Sequence, residues 1–264
     1  MIDPITLPSL KGKRIIVTGG ARGIGAAATQ ILAKQGAHVF ILDINDDLAK
    51  ALITELSTQL CTQIDYAHVD VSKKAEVVRG VAEAVKILGG LDCLIHSAGI
   101  ESQSCIEDLS ETDIDLVLDV NLKGTIYTNQ AVFPYMKDAG GNILNIGSDM
   151  GVDPFPGVSI YGASKGAVHS FTRSAAKEWG KYNIRVNALL PAVHTELWDE
   201  FRNSLSPEML GGLDQMMSEK ILLGGKMGDP TRHLAPVIAF LMSDCSSFMT
   251  SQLIPVNGGL GQVR

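Results

Sequence analysis

Short apolar runs rich in β-branched residues alternate with helix-length stretches about seven times along this chain, and few folds accept that pattern. The apolar runs are residues 14–18, 38–43, 64–71, 93–99, 143–146, 184–191 and 252–259, with helical patterns at 26–35, 45–60, 73–88, 112–137, 161–180 and 230–242. Strands that carry no polar face must be covered on both sides, and connections of helical length return the chain parallel to itself. The expectation is therefore an α/β fold, a doubly wound parallel seven-stranded sheet of Rossmann type. Hydrophobic residues make up 45% of the 264, enough for one sizeable core. No linker, repeat or low-complexity segment divides residues 1–264, so a single domain is expected, with a lid at about 192–228 where no strand signal occurs.

Charge narrows the partners. The net charge is −7 and no Lys/Arg cluster stands out, which argues against nucleic acid or an anionic membrane as the main partner. No apolar run reaches the length of a membrane span. The N-terminal residues lack a basic region followed by an apolar core, so no signal peptide is read and a cytoplasmic location is expected. Cys61, Cys93, Cys105 and Cys245 show no CxxC or His-paired spacing; they read as reduced structural thiols, and no metal is expected.

The first strand runs into Gly19-Gly20-Ala21-Arg22-Gly23-Ile24-Gly25 and then a helix. Glycines allow close backbone approach, and a helix N-terminus offers free N–H groups and a positive dipole end, so this unit suits a phosphate. The spacing is Gly-x3-Gly-x-Gly, not GxGxxG, and a plain tight connection is the alternative. Asp43 falls at the end of the second strand, 18 residues beyond Gly25. A carboxylate there suits the adenosine ribose hydroxyls and repels a 2′-phosphate, which favours NAD over NADP. Arg22 pulls the other way, since a guanidinium in the turn could receive that phosphate. The alternative for Asp43 is a helix N-cap.

A fifth strand stops at Gly147-Ser148, and Tyr161-Gly162-Ala163-Ser164-Lys165 opens the helical pattern after it. Tyr161 and Lys165, four apart, share one helix face. Phenol, ammonium and hydroxyl together outline a proton-transfer site. The plain alternative is a helix that begins with an aromatic and carries a solvated lysine.

These pieces occur in one register: Thr18-Gly19-x3-Gly23-x-Gly25, Asp70-Val71, Ala98-Gly99, Asn121, Ser148, Tyr161-x3-Lys165 and Ile184-Arg185-Val186-Asn187. Asn121 to Ser148 is 27 residues and Ser148 to Tyr161 is 13. In that order and spacing the chain resembles the short-chain dehydrogenase/reductase family along nearly its whole length. The resemblance implies a nicotinamide dinucleotide cofactor and Asn121, Ser148, Tyr161 and Lys165 as catalytic tetrad. It implies cofactor contacts from Gly19, Arg22, Gly23, Ile24, Gly25, Asp43, Asp70, Val71, Ala98, Gly99, Tyr161, Lys165, Val193 and Thr195, with Asp70 on the adenine amino group. Asn187 is expected to support the active-site strand. A homotetramer packed through residues 112–137 and 160–180 is the expected assembly. Two departures stand out. Where relatives read Asn-Asn-Ala-Gly this chain has His96-Ser97-Ala98-Gly99, and Pro191-Ala192-Val193-His194-Thr195 lacks the glycine usual after the proline. His96 reads as a satisfied strand-end histidine rather than an extra acid/base.

The chemistry implied is hydride transfer between a carbinol carbon and the nicotinamide. A free tyrosine titrates near pH 10, too high for a base at neutral pH, so Lys165 and oxidised nicotinamide are expected to favour its phenolate. Ser148 would donate to the substrate oxygen, and Asn121, through water, would link Lys165 to solvent. For substrate contacts the sequence offers Ser148, Met150, Phe155, Tyr161 and Trp198, with Asp149 and Val152 on the same wall as Met150 and Phe155. Leu197, Trp198, Phe201, Leu205, Met209, Leu210, Leu213, Met216 and Met217 make an apolar lid suited to an apolar or cyclic secondary alcohol or ketone, or they merely pack it. The expected enzyme is an NAD-dependent alcohol dehydrogenase/ketone reductase. The competing readings are an NADPH-dependent 3-oxoacyl-carrier-protein reductase, disfavoured by Asp43 and the acidic charge balance, and a non-catalytic dinucleotide-binding regulatory protein.

Overall fold

A computed structural model describes residues 8–60 and 62–261; Cys61 and most of the N-terminal arm lie outside them. The seven apolar runs form β1 (Arg14–Thr18), β2 (His38–Asp43), β3 (Ile64–His68), β4 (Cys93–His96), β5 (Gly141–Ile146), β6 (Ile184–Pro191) and β7 (Leu253–Val256). All neighbouring pairs are parallel, in the order β3-β2-β1-β4-β5-β6-β7. Successive residues of a strand face opposite sides, so Ile16 enters one core layer and Val17 the other. On the Val17 side, Ile95, Leu144 and Leu189 meet α1 (Gly23–Lys34) and α9 (Ala235–Met242). On the Ile16 side, Leu94, Ile143 and Val186 meet α3 (Lys74–Leu88), α5 (Gly124–Met136) and α6 (Ser159–Trp179). α2 (Asp46–Gln59) covers Ile41 with Leu52 and Leu56. This is the doubly wound single domain expected from the alternation.

Several boundaries differ from the sequence expectation. β3, an edge strand, ends at His68 rather than at 71. Beyond it Val69 and Val71 turn inward and pack so tightly on helical glycines that a Cβ at Gly80 would stand 2.4 Å from Val69, and one at Gly124 2.9 Å from Val71. The long helix expected at 112–137 is α4 (Glu111–Val117), a π-turn at Leu118–Lys123, and then α5. Pro134 removes one helical bond, yet α5 runs on to Met136, whose side chain is fully buried. Asn187, expected to support the active-site strand, ties β6 to the turn before β7, donating to the Met249 carbonyl and accepting from the Gln252 N–H. No helix among the described residues is long and apolar enough to cross a membrane.

Strand order reverses at β1, which lies between β2 and β4, and such a reversal opens a crevice at the carboxyl ends of the strands. The glycines after β1 keep that crevice open by close backbone contact. A Cβ at Gly25 would sit 1.9 Å from the Gly19 carbonyl oxygen, and one at Gly19 2.7 Å from the Ala98 Cα. Gly25→Ala is expected to lower the denaturation free energy by about 2–3 kcal/mol in a chemical melt. Gly211→Ala, with nothing within 4 Å in α8 (Pro207–Lys220), should leave it unchanged or raise it. Equal midpoints for the two would show that the turn has slack.

Candidate active site

The crevice holds a groove of about 230 Å³. Gly19, Arg22, Gly23, Ile24, Asp43, Asp70, Val71, Ala98, Gly99 and Thr195, all expected from the sequence, line it. The first turn of α1 has neither a side-chain cap nor an acidic residue, so its N–H groups are open to an anion. Asp43 is buried and accepts the N–H of Ala21 at 3.0 Å and of Asn45 at 2.9 Å. Asn45, not Asp43, caps α2. The carboxylate is thus a brace across the glycine turn that retains lone pairs facing the groove. Arg22 reaches the Glu200 carboxylate, at 3.5 Å, on α7 (Glu196–Ser204). These features fit a dinucleotide: open amides for a pyrophosphate, a fixed carboxylate for ribose hydroxyls, and a backbone too close for side chains.

Four expected cofactor residues lie off this groove. Gly25 is beneath the turn, and Val193 faces the neighbouring cavity, as does Tyr161. Lys165 Nζ stands 3.5 Å from where a Gly99 Cβ would be. The groove also uses Ile44, Ile100, Val120 and Glu196, which the sequence does not single out, and Ser97, noted there only as a departure. Their adjacency to Asp43, Ala98, Gly99, Asn121 and Thr195 is the signal that marks them.

The tetrad residues converge although they come from three segments: the π-turn, the loop after β5 and α6. Lys165 is buried on α6 and donates to the Ile146 carbonyl at 2.9 Å, its Nζ 5.7 Å from the Tyr161 ring centroid. Burial lowers its pKa to about 8, opposed by Glu101. Asn121, displaced by the π-turn, brackets Ile100: Oδ1 accepts its N–H at 2.8 Å and Nδ2 donates to its carbonyl at 2.9 Å. Nδ2 also donates to the Ser164 hydroxyl, which in turn donates to the Tyr161 carbonyl. The Asn121 carbonyl accepts from the Thr125 hydroxyl. Ser148 bonds the Tyr161 phenol and accepts the Met150 N–H at 3.1 Å. Burial raises the Tyr161 pKa, and Glu101 and Asp149 add to it, against the Ser148 hydrogen bond. The Lys165 ammonium, turned to a carbonyl, does not by itself offset that rise.

Two histidines support the strand ends. The Thr18 hydroxyl accepts from the N–H groups of Ser97 and Ala98, so its proton goes to His96 Nδ1, 2.9 Å away. The bond ties β1 to β4 at a position where the family resemblance implies asparagine. His96 is only half satisfied, however, since its buried Nε2 has no partner; burial and then Lys165 push its pKa down to about 3. His169 has no counterpart among the sequence expectations. Its Nε2 accepts the Ser148 N–H at 3.3 Å, and burial, then Lys165 and Arg173, lowers its pKa to about 4, so it stays neutral. Its ring occupies the space beside Gly147 and Gly151, where a Cβ would come within 2.5 and 2.7 Å of it.

Next to the groove lies a cavity of about 330 Å³. Ser148, Met150, Phe155, Tyr161 and Trp198 all line it, as expected, with Asp149. Val152 does not; it is exposed and turned toward α6. From the apolar stretch, Leu197, Phe201, Leu213, Met216 and Met217 face the cavity, whereas Met209 points to solvent. Glu101 and Gln103, also beyond the sequence expectation, close its polar end. Ile24, Thr195 and Leu197 line groove and cavity alike, so the two form one cleft. No group of three or more His, Cys, Asp or Glu among the described residues could hold a metal ion.

Residues 13–205 match the family described as short chain dehydrogenase. The chain is 35% identical over 253 residues to the 3-oxoacyl-(acyl-carrier-protein) reductase FabG of Thermotoga maritima, covering 95% of this chain and 98% of that one. It is 33% identical to the trans-4-hydroxycyclohexanecarboxylate dehydrogenase of Sinomonas cyclohexanicum, over 94% of this chain and 92% of the relative. The crystal structure of levodione reductase superposes with a TM-score of 0.89 at 29% identity, covering 94% of this chain and 97% of that one. An oxidoreductase sheet, a glycine-turned groove and a matching family pattern agree: the chain belongs to the short-chain dehydrogenases/reductases.

Proposed function

We propose that this oxidoreductase transfers a hydride between NAD(H) and a secondary alcohol or ketone with an apolar or cyclic body. The observation that carries the reading is the meeting of the Tyr161 phenol, the Ser148 hydroxyl and the buried Lys165 ammonium where groove joins cavity. The open N–H groups of α1 would hold the pyrophosphate, Asp43 and Asp70 the adenosine end, and Val193 and Thr195 the nicotinamide end. When bound, the nicotinamide supplies the hydride acceptor or donor. Ser148 hydrogen-bonds the substrate oxygen and stabilises charge that develops there. Tyr161 takes the hydroxyl proton during oxidation and returns it during reduction. Lys165 holds its positive charge near the phenol, and Asn121 fixes Ile100 and α6 around it. A water link from Asn121 to Lys165 would have to pass a side chain amide already bonded to Ile100 and Ser164. Residues 192–228 act as the substrate lid.

NAD use rests on Asp43, whose charge a 2′-phosphate would meet, and on Arg22 already paired with Glu200. A second reading, 3-oxoacyl-carrier-protein reduction with NADPH, draws on the likeness to FabG. A cytoplasmic homotetramer completes the proposal; Cys93, Cys105 and Cys245 are free thiols, in keeping with a reducing compartment.

Tyr161→Phe is expected to cut turnover by about 10²–10⁴-fold with NAD affinity largely kept; near-normal turnover would refute the role. The pH profile carries a sign. Because burial and two carboxyls raise the phenol pKa, the base form is scarce near neutrality. Oxidation should then rise with pH, by up to about tenfold per unit, while reduction, which uses the protonated phenol, stays flat until alkaline pH. A flat oxidation profile between pH 6 and 8 argues against Tyr161 as base. Asp43→Asn should weaken NAD binding about tenfold and narrow the NAD/NADP ratio of kcat/KM. An unchanged ratio, or wild-type turnover of acetoacetyl thioester with NADPH but of no alcohol with NAD, favours the second reading.

A further inference from the structure

Glu101 sits in the cleft as a built feature rather than as part of a loose loop. Asn121 clamps Ile100 just before it by the two bonds described above. Three residues beyond, Ser104 pairs with Val158 in a bridge and its N–H donates to the Gly157 carbonyl at 2.9 Å. The short span between is pinned at both ends and lines the cavity with Glu101 and Gln103. Glu101 interacts electrostatically with both Tyr161 and Lys165 and receives a hydrogen bond from Gln103.

A second carboxyl faces the same phenol. Asp149 is 4% exposed and lines the cavity; its Oδ1 accepts from Asn257 at 2.8 Å while the buried Oδ2 has no partner. Burial raises the pKa of both acids, outweighing the single hydrogen bond that Gln103 gives Glu101 and Asn257 gives Asp149. Among the described residues the cation acting on Glu101 is Lys165, already bound to a backbone carbonyl. The rest of the wall is apolar, from Phe155, Trp198, Phe201 and Leu213. A complementary molecule has an apolar body and hydrogen-bond donors gathered at the end that reacts.

Resting on the hydride-transfer reading, we propose that Glu101 is a specificity-determining residue that accepts a hydrogen bond from a second hydroxyl of the substrate, near the reacting carbinol, and rejects a carboxylate in that position. The preferred substrates are then ring or apolar diols and hydroxyketones. A site that hydrogen-bonds a substrate hydroxyl discriminates strongly against the analogue lacking it, because its buried acceptor is left bare. A carboxylate in its place meets like charge in a partly desolvated pocket.

The test uses cyclohexanol, cyclohexane-1,2-diol and 2-hydroxycyclohexanecarboxylate with wild type, Glu101→Leu and Glu101→Gln. Wild type should prefer the diol, and Glu101→Leu should reduce the diol/cyclohexanol ratio of kcat/KM by about tenfold or more, chiefly through KM. Glu101→Gln, which removes charge but keeps an acceptor, should retain the diol preference and improve the hydroxy acid relative to cyclohexanol. An equal loss on all three probes overturns the proposal, because Glu101 would then act only through Tyr161 and Lys165. Calorimetric binding of the same probes to the NADH complexes gives a readout independent of turnover. If wild type oxidises none of them, the hydride-transfer reading fails, and equal diol affinity in wild type and Glu101→Leu still overturns this one separately.

Discussion

A buried ammonium bound to a strand-end carbonyl sets the dimensions of this site. Lys165 is 6% exposed, and its contact with the Ile146 oxygen at 2.9 Å fixes α6 against the end of β5. Taking an ammonium out of water costs several kcal/mol unless donors find acceptors. The strand end supplies one, and the lowered pKa of Lys165 reflects the part of the cost that remains. The same helix carries Tyr161 one turn earlier and His169 one turn later. One ammonium–carbonyl bond thereby aligns the phenol over the cavity and the imidazole behind Ser148.

Around that contact the polar groups are arranged to leave few alternatives. On β5, Asn145 exchanges hydrogen bonds with Asn129 on α5 and bonds Thr172 on α6, so both helices are registered against that strand. The π-turn lets Asn121 step out of the α5 ladder and grip Ile100 from both sides. Extra residues in a helix normally cost stability, and π-turns of this kind occur where a side chain must be presented. Here the presented amide joins the loop after β4 to α6 and carries Glu101 into the cleft. Partly satisfied groups remain at the reactive end, namely His96 Nε2 and Asp149 Oδ2. Both lie beside the residues that would handle substrate and proton, where local cost is offset by the well-packed sheet around them.

Much was legible from spacing. The alternation of apolar runs foretold a parallel sheet because strands without a polar face need helices on both sides. Tyr161 and Lys165 were paired by helix geometry alone; of the ten groove residues, the glycine turn and Asp43 were read from position, and Asp70, Val71, Ala98, Gly99 and Thr195 from the family resemblance. Glu101 and His169 were not found. Glu101 looks like any loop carboxylate until the Ile100 clamp and the Ser104 bridge pin it. His169 looks like a residue of an amphipathic helix until Gly147 and Gly151 open the space for its ring. Val152 failed in the opposite sense: as an apolar neighbour of Met150 it suited the cavity wall, but the turn after Ser148 swings it outward.

The chain's own pattern determined the layered parallel sheet, the glycine turn after the first strand and the placing of Tyr161 and Lys165 on one helix face, since each follows from helix and strand periodicity over a few residues. The tertiary structure alone decided how those residues are charged and what they face. Desolvation, the turn of Lys165 toward a carbonyl rather than the phenol, and two carboxyls in one cavity arise between segments far apart in sequence, from Glu101 to Asp149 and Lys165. Such long-range contacts leave no periodic mark in a sequence, because they depend on where folded segments meet.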